Sequence, residues 1–278
     1  APLDLVEKRI HRGAMSRLSD RFHALKCSGR SALVSYIVAG DPDPVTGQLI
    51  MNSLPEAGVD IIELGVPFTD PMADGPTIQA ADNRALAAGM TLAKVLEMVR
   101  AFRVTNTTTP VVLMGYYNPV YVYGGARFAQ DAAAAGVDGV LLVDLPPEEE
   151  GEIKGDLKAA GIDVIRLITP TSTGDRLKTL VQDASGFLYY VSIAGVTGTA
   201  VIDVPSVAEK LKEIRRLSHL PIAVGFGIRT TEDAKAVAEV ADGVIIGSNF
   251  VRIVEKTIPD QVVSEVFREV RLYRDALA

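Results

Sequence analysis

The sequence predicts an α/β protein, a single (β/α)8 TIM barrel with an extra N-terminal helix. Three observations predict it. Short apolar runs recur at 32–39, 60–66, 111–115, 139–143, 163–168, 187–192, 221–225 and 243–247, each followed by a loop and a helical stretch. Spread over 278 residues, these runs recur every ~35 residues, the length of a strand–loop–helix module. The runs are rich in Val, Ile and Leu and nearly continuous, as parallel strands buried on both faces are. The joint between helix and strand is also reused: Ala57-Gly58-Val59-Asp60, Ala135-Gly136-Val137-Asp138 and Ala160-Gly161-Ile162-Asp163, with Ala241-Asp242-Gly243-Val244 as a looser copy. In each full copy the Gly suits a left-handed helix end and the next residues enter a strand.

The elements follow in order. Leu18, Phe22 and Leu25 stand at helical spacing and predict a leading helix with one buried stripe. Residues 1–30 are read as that helix and a lead-in, 31–256 as the barrel and 257–278 as a C-terminal helix, all in one domain. No Ser/Gly linker, charge block or low-complexity tract separates the modules. A doubly wound sheet is the competing fold; the number of units and a late phosphate-type loop favour the closed barrel.

Composition narrows the function. Hydrophobic residues make up 48% and charged residues 23%, ordinary for a globular chain with a large core. A net charge of −7 argues against nucleic acid or an anionic membrane surface as partner. No apolar run has the length of a membrane helix. Cys27 is the sole cysteine, so no intrachain disulfide forms. His11, His23 and His219 lie far apart, without metal-ligand spacing, and no metal site is expected. The N-terminal segment lacks a signal-peptide apolar core, and the chain reads as cytoplasmic; its basic start leaves organelle targeting as the alternative.

Barrel active sites lie at the C-terminal ends of the strands. The second strand carries Glu63 within an apolar run, and its Pro/Gly-rich loop carries Asp70 and Asp74. A buried Glu is costly unless paired or protonated, and burial raises its pKa toward the general acid–base range. A structural Glu bonded to backbone amides is the equal alternative. Tyr116, Tyr117 and Asn118 follow the third strand, and Tyr189 and Tyr190 stand in the sixth. Tyr116 and Tyr189 suit the flanks of an aromatic substrate, or an ordinary core. The loop at 192–199 is rich in small residues and reads as a closing loop or a plain surface one. Gly225-Phe226-Gly227 and Gly247-Ser248 each precede a helix, at the two loops where barrels hold phosphate. A tight turn explains either alone; the paired placement favours phosphate. A dinucleotide fingerprint is disfavoured, since the third Gly is missing and the motif follows the seventh strand.

Together these motifs resemble the alpha-subunit family of tryptophan synthase. The resemblance runs from about Phe22 to Arg252 and is carried by the unbroken segment 63–79, with Gly40-Asp41-Pro42, Asp144-Leu145-Pro146, Gly195-Val196-Thr197-Gly198 and Gly225-Phe226-Gly227-Ile228. It implies a lyase that cleaves indole-3-glycerol phosphate by a retro-aldol reaction to indole and D-glyceraldehyde 3-phosphate, in L-tryptophan biosynthesis. By the same resemblance Glu63 is the acid–base, Asp74 binds the indole N–H, and Tyr189 supports Glu63. Tyr36, Met114, Tyr116 and Leu141 line the indole pocket. Gly198, Phe226, Gly227, Gly247 and Ser248 bind phosphate, and Thr197 locks its loop against Asp74. Many bacterial members have Arg where this chain has Ile193, a departure that touches loop closure and not the carboxylates. No cofactor is implied for this chain. A pyridoxal-phosphate beta subunit is implied as partner in an alpha–beta–beta–alpha heterotetramer, with Asp70 and Pro71 at or near the contact.

Three alternatives stand beside this reading: a stand-alone indole-3-glycerol-phosphate lyase, a different phosphosugar barrel enzyme, and a non-catalytic phosphate-ligand-binding barrel that regulates its partner. A Schiff-base aldolase needs a lysine at a strand end, and Lys94, Lys154, Lys158, Lys178, Lys210 and Lys235 all read as helical surface positions. A pure binder has no need of an acid inside an apolar strand.

Overall fold

The computed structural model describes residues 16–192 and 202–278. Its strands are β1 (Ala32–Val38), β2 (Ile61–Gly65), β3 (Val111–Gly115), β4 (Gly139–Leu142), β5 (Asp163–Val164), β6 (Arg166–Ile168), β7 (Leu188–Val191), β8 (Ile222–Gly225) and β9 (Gly243–Ile246). All neighbours pair in parallel, in the order β5-β4-β3-β2-β1-β9-β8-β7-β6. Every expected run contains a strand, but the fifth holds two. The chain there changes neighbour midway: β5 pairs with β4 and β6 with β7, while the Ile165 N–H between them donates to the Val140 carbonyl at 3.0 Å. The two ends of the sheet are therefore halves of one segment, and the barrel closes through it. Strands that tilt as they close a barrel shift register, so one segment offers different stretches to its two neighbours.

Alternation divides the apolar side chains into two cores. Ala32, Val34, Ile61, Val112, Leu141, Ile165, Phe187, Tyr189, Ala223 and Ile245 fill the barrel interior. Leu33, Ile37, Ile62, Leu64, Val111 and Leu113, on the opposite faces of the same strands, meet the surrounding helices. The leading helix Arg17–Cys27 closes the floor, as its stripe predicts: Leu18, Phe22 and Leu25 join the interior cluster, and the Phe22 and Phe187 rings lie 5.6 Å apart. The C-terminal helix Pro259–Ala276 packs along Pro44–Ala57 in the outer layer.

The reused joints do more than end helices. Gly58 and Gly136 take the expected left-handed conformation at φ 110° and 91°. The aspartates that follow reach back to the preceding strand: Asp60 accepts from the Leu33 N–H at 2.9 Å, Asp138 from Val111 at 2.8 Å, and Asp242 from Ile222 at 2.9 Å. Asp163 instead accepts from the Ser16 hydroxyl at 2.8 Å, which ties the leading helix to the floor. Arginines complete all three strand latches, Arg215 meeting Asp242 at 3.1 Å. Arg274 of the C-terminal helix meets Asp60 at 2.9 Å, and Arg103 meets Asp138 at 2.7 Å.

Asp60 and Arg274 are both buried, so removing the acid leaves a buried cation and a strand N–H unmatched. Asp60→Ala should lower unfolding stability by about 3–5 kcal/mol in denaturant titration, whereas the exposed Asp20→Ala should change it by less than about 0.5 kcal/mol. Equal effects would remove the latch from this account.

Candidate active site

The site begins with Glu63. It stands two residues beyond Ile61, which faces the barrel interior, so pleating points its side chain inward as well. Tyr36 on β1 and Val112 on β3 are its register neighbours. Glu63 is 1% exposed, and its Oε1 has no hydrogen-bond partner among the described residues. Burial, reinforced by the charge of Asp74, pushes the carboxyl up to about 8. A carboxylic acid in that state is protonated at neutral pH.

Two tyrosines flank it, and two glycines make their room. A Cβ on Gly65 would collide with the Tyr36 hydroxyl, and one on Gly225 with the Tyr189 hydroxyl. Burial raises both phenols well above the ordinary tyrosine range, with neighbouring acids adding to the shift. Both stay protonated.

Asp74 reaches the same region from the loop after β2. The Tyr116 hydroxyl donates to Asp74 Oδ2 at 2.7 Å and accepts from the Ala73 N–H at 3.0 Å; Gln79 Nε2 donates to the Asp74 carbonyl at 2.7 Å. The Phe68 ring lies tilted on Tyr116 at 5.4 Å. Partial burial raises the Asp74 pKa, and the Tyr116 hydrogen bond opposes that rise by favouring the anion. The two acids are thus treated differently: Glu63 lacks a donor to its Oε1, whereas Asp74 has one.

A cavity of about 260 Å³ lies above them, lined by Tyr36, Asp74, Met114 and Tyr189 on one side and by Phe226, Gly227, Gly247 and Ser248 on the other. A second space of about 580 Å³ adjoins it through Asp74, Met114, Phe226, Gly227 and Ser248, and adds Val143, Leu167, Val191 and Ser192. Asp74 and the two glycine turns therefore open on common space. Helix Ser248–Lys256 starts at the second turn and points its first N–H groups there. Phe226 is the one non-glycine with positive φ among the described residues, at 69°. The Ser192 hydroxyl bridges the Gly225 carbonyl at 3.1 Å and the Phe226 carbonyl at 2.7 Å, which holds that conformation.

Of the residues expected in the site, Tyr36, Asp74, Met114, Tyr189, Phe226, Gly227, Gly247 and Ser248 line the smaller cavity. Glu63, buried in the barrel, lines neither space and is coupled to Asp74 by charge. Leu141 and Tyr116 line neither space: Leu141 is buried in the interior cluster, and Tyr116 serves Asp74 through its hydroxyl. Thr197, Gly198 and Ile193 lie outside the described residues. Thr77, Ile78, Ile228, Arg252 and Ser192 were not anticipated. Asp82 was also missed; it is 3% exposed on helix Pro76–Ala87 and pushed up to about 8 by burial, then by Asp74 and Asp41. A polar residue inside the apolar stripe of that helix was the available signal. Among the described residues no group of His, Cys, Asp and Glu could hold a metal ion, and no helix is long and apolar enough to cross a membrane.

The family model described as tryptophan synthase alpha chain matches residues 22–276. Among solved structures, tryptophan synthase subunit alpha from Legionella pneumophila str. Paris is 42% identical, with a TM-score of 0.87 over 95% of this chain and 99% of that one. Tryptophan synthase from M. tuberculosis, in an aminoacrylate-bound form, is 33% identical, with a TM-score of 0.85 over 95% and 100%. A structure of the tryptophan synthase a2b2 complex from the hyperthermophile Pyrococcus furiosus matches at 36% identity and a TM-score of 0.80, over 88% of this chain and 98% of that one.

The raised acid also marks stability. Glu63 binds its proton more tightly folded than unfolded, so its contribution is fully present below the unfolded carboxyl range and is lost as pH rises toward 8. Glu63→Gln should match the wild type in acid and exceed it above pH 8, by on the order of 2–4 kcal/mol. Denaturant midpoints across pH measure this, and a gap that does not change with pH would contradict the protonated state.

Proposed function

The chain belongs to the tryptophan synthase alpha chain family, and on that premise we propose which of its residues perform the family's reaction. That reaction is the lyase cleavage of indole-3-glycerol phosphate to indole and D-glyceraldehyde 3-phosphate, in L-tryptophan biosynthesis. The observation that supports the assignment is the pairing of a buried, protonated acid with a hydrogen-bonded carboxylate beside a glycine-lined cavity.

Indole does not release its C3 substituent while the ring is aromatic. Glu63 gives its proton to C3, and the positive charge that develops at N1 is met by the Asp74 carboxylate. The Glu63 carboxylate then takes the proton of the glycerol hydroxyl next to the scissile bond. The C–C electron pair returns to the ring, indole leaves aromatic, the hydroxyl carbon becomes the aldehyde, and Glu63 is again protonated. Two carboxyls with separated proton affinities suffice, and this chain supplies both. The Tyr116 hydrogen bond favours the Asp74 anion, while Tyr36 and Tyr189 keep water away from Glu63. Phe226, Gly227, Gly247 and Ser248 hold the phosphate with backbone N–H groups and the Ser248 hydroxyl.

The partner follows from the same family. A pyridoxal-phosphate beta subunit receives the indole in an alpha–beta–beta–alpha assembly, and the pyridoxal phosphate belongs to that subunit. The exposed tip of the loop after β2, with Asp70 and Met72, is continuous with Asp74 and suits a contact that senses the site.

Purified chain should release indole from indole-3-glycerol phosphate, and added beta subunit should accelerate it; acceleration separates a subunit from a stand-alone lyase. Glu63→Gln should lower turnover by ~10²–10⁴-fold and Asp74→Asn by ~10²–10³-fold, with substrate binding still measurable. The wild-type rate should fall above pH 8 as Glu63 ionises, and that limb should persist in Asp82→Asn. Wild-type rates in Glu63→Gln would end the acid–base assignment.

A further inference from the structure

The backbone cradle is neutral, and its surroundings are acidic. Asp74 is the acid that lines the cavity, and burial holds Glu63 and Asp82 protonated at neutral pH. The whole chain carries −7. A phosphate monoester brings roughly −1.5 to −2 charges of its own at neutral pH. Backbone dipoles orient such a group, but a full positive charge is what offsets its own charge beside the Asp74 carboxyl.

One side chain is placed to supply it. Arg252 is the one cation among the described residues lining the smaller cavity, and together with Arg229 it lines the adjoining space. It stands four residues beyond Ser248, the first residue of helix Ser248–Lys256. Helical side chains lean toward the N-terminus, so a residue at that offset lies over the first turn, where the helix N–H groups are unmatched. Its one hydrogen bond among the described residues is a long one, 3.3 Å from Nη1 to Asn249 Oδ1. Asn249 is itself oriented from behind. Its Nδ2 donates to the Arg229 carbonyl at 2.8 Å and to the Tyr273 hydroxyl, and that hydroxyl donates to the Arg229 carbonyl at 3.0 Å. Tyr273 is 1% exposed in the C-terminal helix. The amide oxygen is thereby turned toward Arg252, which holds the guanidinium near the cavity and leaves most of its donors free among the described residues.

We infer that Arg252 is the charged half of the substrate site, an anion-recognition residue that selects the phosphorylated substrate over its neutral, dephosphorylated counterpart. The inference rests on the lyase reading above and goes beyond it, because the backbone cradle alone explains binding and not discrimination by charge. A guanidinium offers paired donors to two phosphate oxygens, which a lysine ammonium does not reproduce.

The test is steady-state indole formation by wild type, Arg252→Gln and Arg252→Lys, on indole-3-glycerol phosphate and on indole-3-glycerol. Arg252→Gln should raise KM for the phosphorylated substrate by ~10–100-fold with kcat within a few-fold, and leave kcat/KM for indole-3-glycerol unchanged. Arg252→Lys should recover part of the loss. Raised salt should depress wild-type kcat/KM more steeply than that of Arg252→Gln. An unchanged KM in Arg252→Gln, or an equal loss on both substrates, would overturn the inference. A wild type inactive on indole-3-glycerol phosphate would instead overturn the reading on which it rests.

Discussion

The site depends on one constraint: a carboxyl group inside the barrel whose Oε1 meets no donor among the described residues. An acid in that position resists ionisation, and Asp74 nearby strengthens the resistance. The same acid at the surface would be ionised at neutral pH and useless as a proton donor to carbon. The barrel supplies the required environment because inward positions on parallel strands are closed to water below and open to a cavity above. Leu18, Phe22 and Leu25 make the closed end, and the loops at the strand ends make the open one.

Separation of roles between the two acids follows from what each is given. Glu63 receives burial without a donor to Oε1. Asp74 receives partial burial and the Tyr116 hydroxyl. A hydrogen bond to the anion works against desolvation, so of two chemically similar groups, coupled by charge, only Asp74 has its rise opposed. The architecture that keeps them in place is held from outside the site. Asp60, Asp138 and Asp242 each lock a strand to the one before it, and the latch between Asp60 and Arg274 ties the C-terminal helix to the strand that carries Glu63.

Much of this was legible in the chain before any coordinates. Buried parallel strands write themselves as continuous apolar runs, so the barrel followed from their repetition and from the reused helix ends. Glu63 stood out because it interrupts such a run, and the turns at 225–227 and 247–248 because glycine clusters at those places have few other uses. The rest depends on distances that one-dimensional order does not carry. The split of the fifth run comes from strand tilt. The reach of Asp60, Asp138 and Asp242 to a preceding strand spans 20–27 residues. Tyr116 reads as pocket wall until its hydroxyl is seen on Asp74. Arg252 looks like any charged helix residue until the lean of helical side chains sets it over the cradle, and Asp82 passes for a surface acid until its helix is laid against the sheet.

The protonation state of Glu63 can be observed without substrate, partner or turnover. The direct measurement is the carboxyl signal of Glu63, by carbon-13 NMR or infrared, taken as the difference between wild type and a Glu63→Gln variant so that Asp82 cancels. The account predicts a neutral carboxyl at neutral pH, half-ionised near 8, with that midpoint moving down when Asp74 is replaced by Asn. A Glu63 carboxyl already ionised at neutral pH, or one indifferent to Asp74, would contradict it.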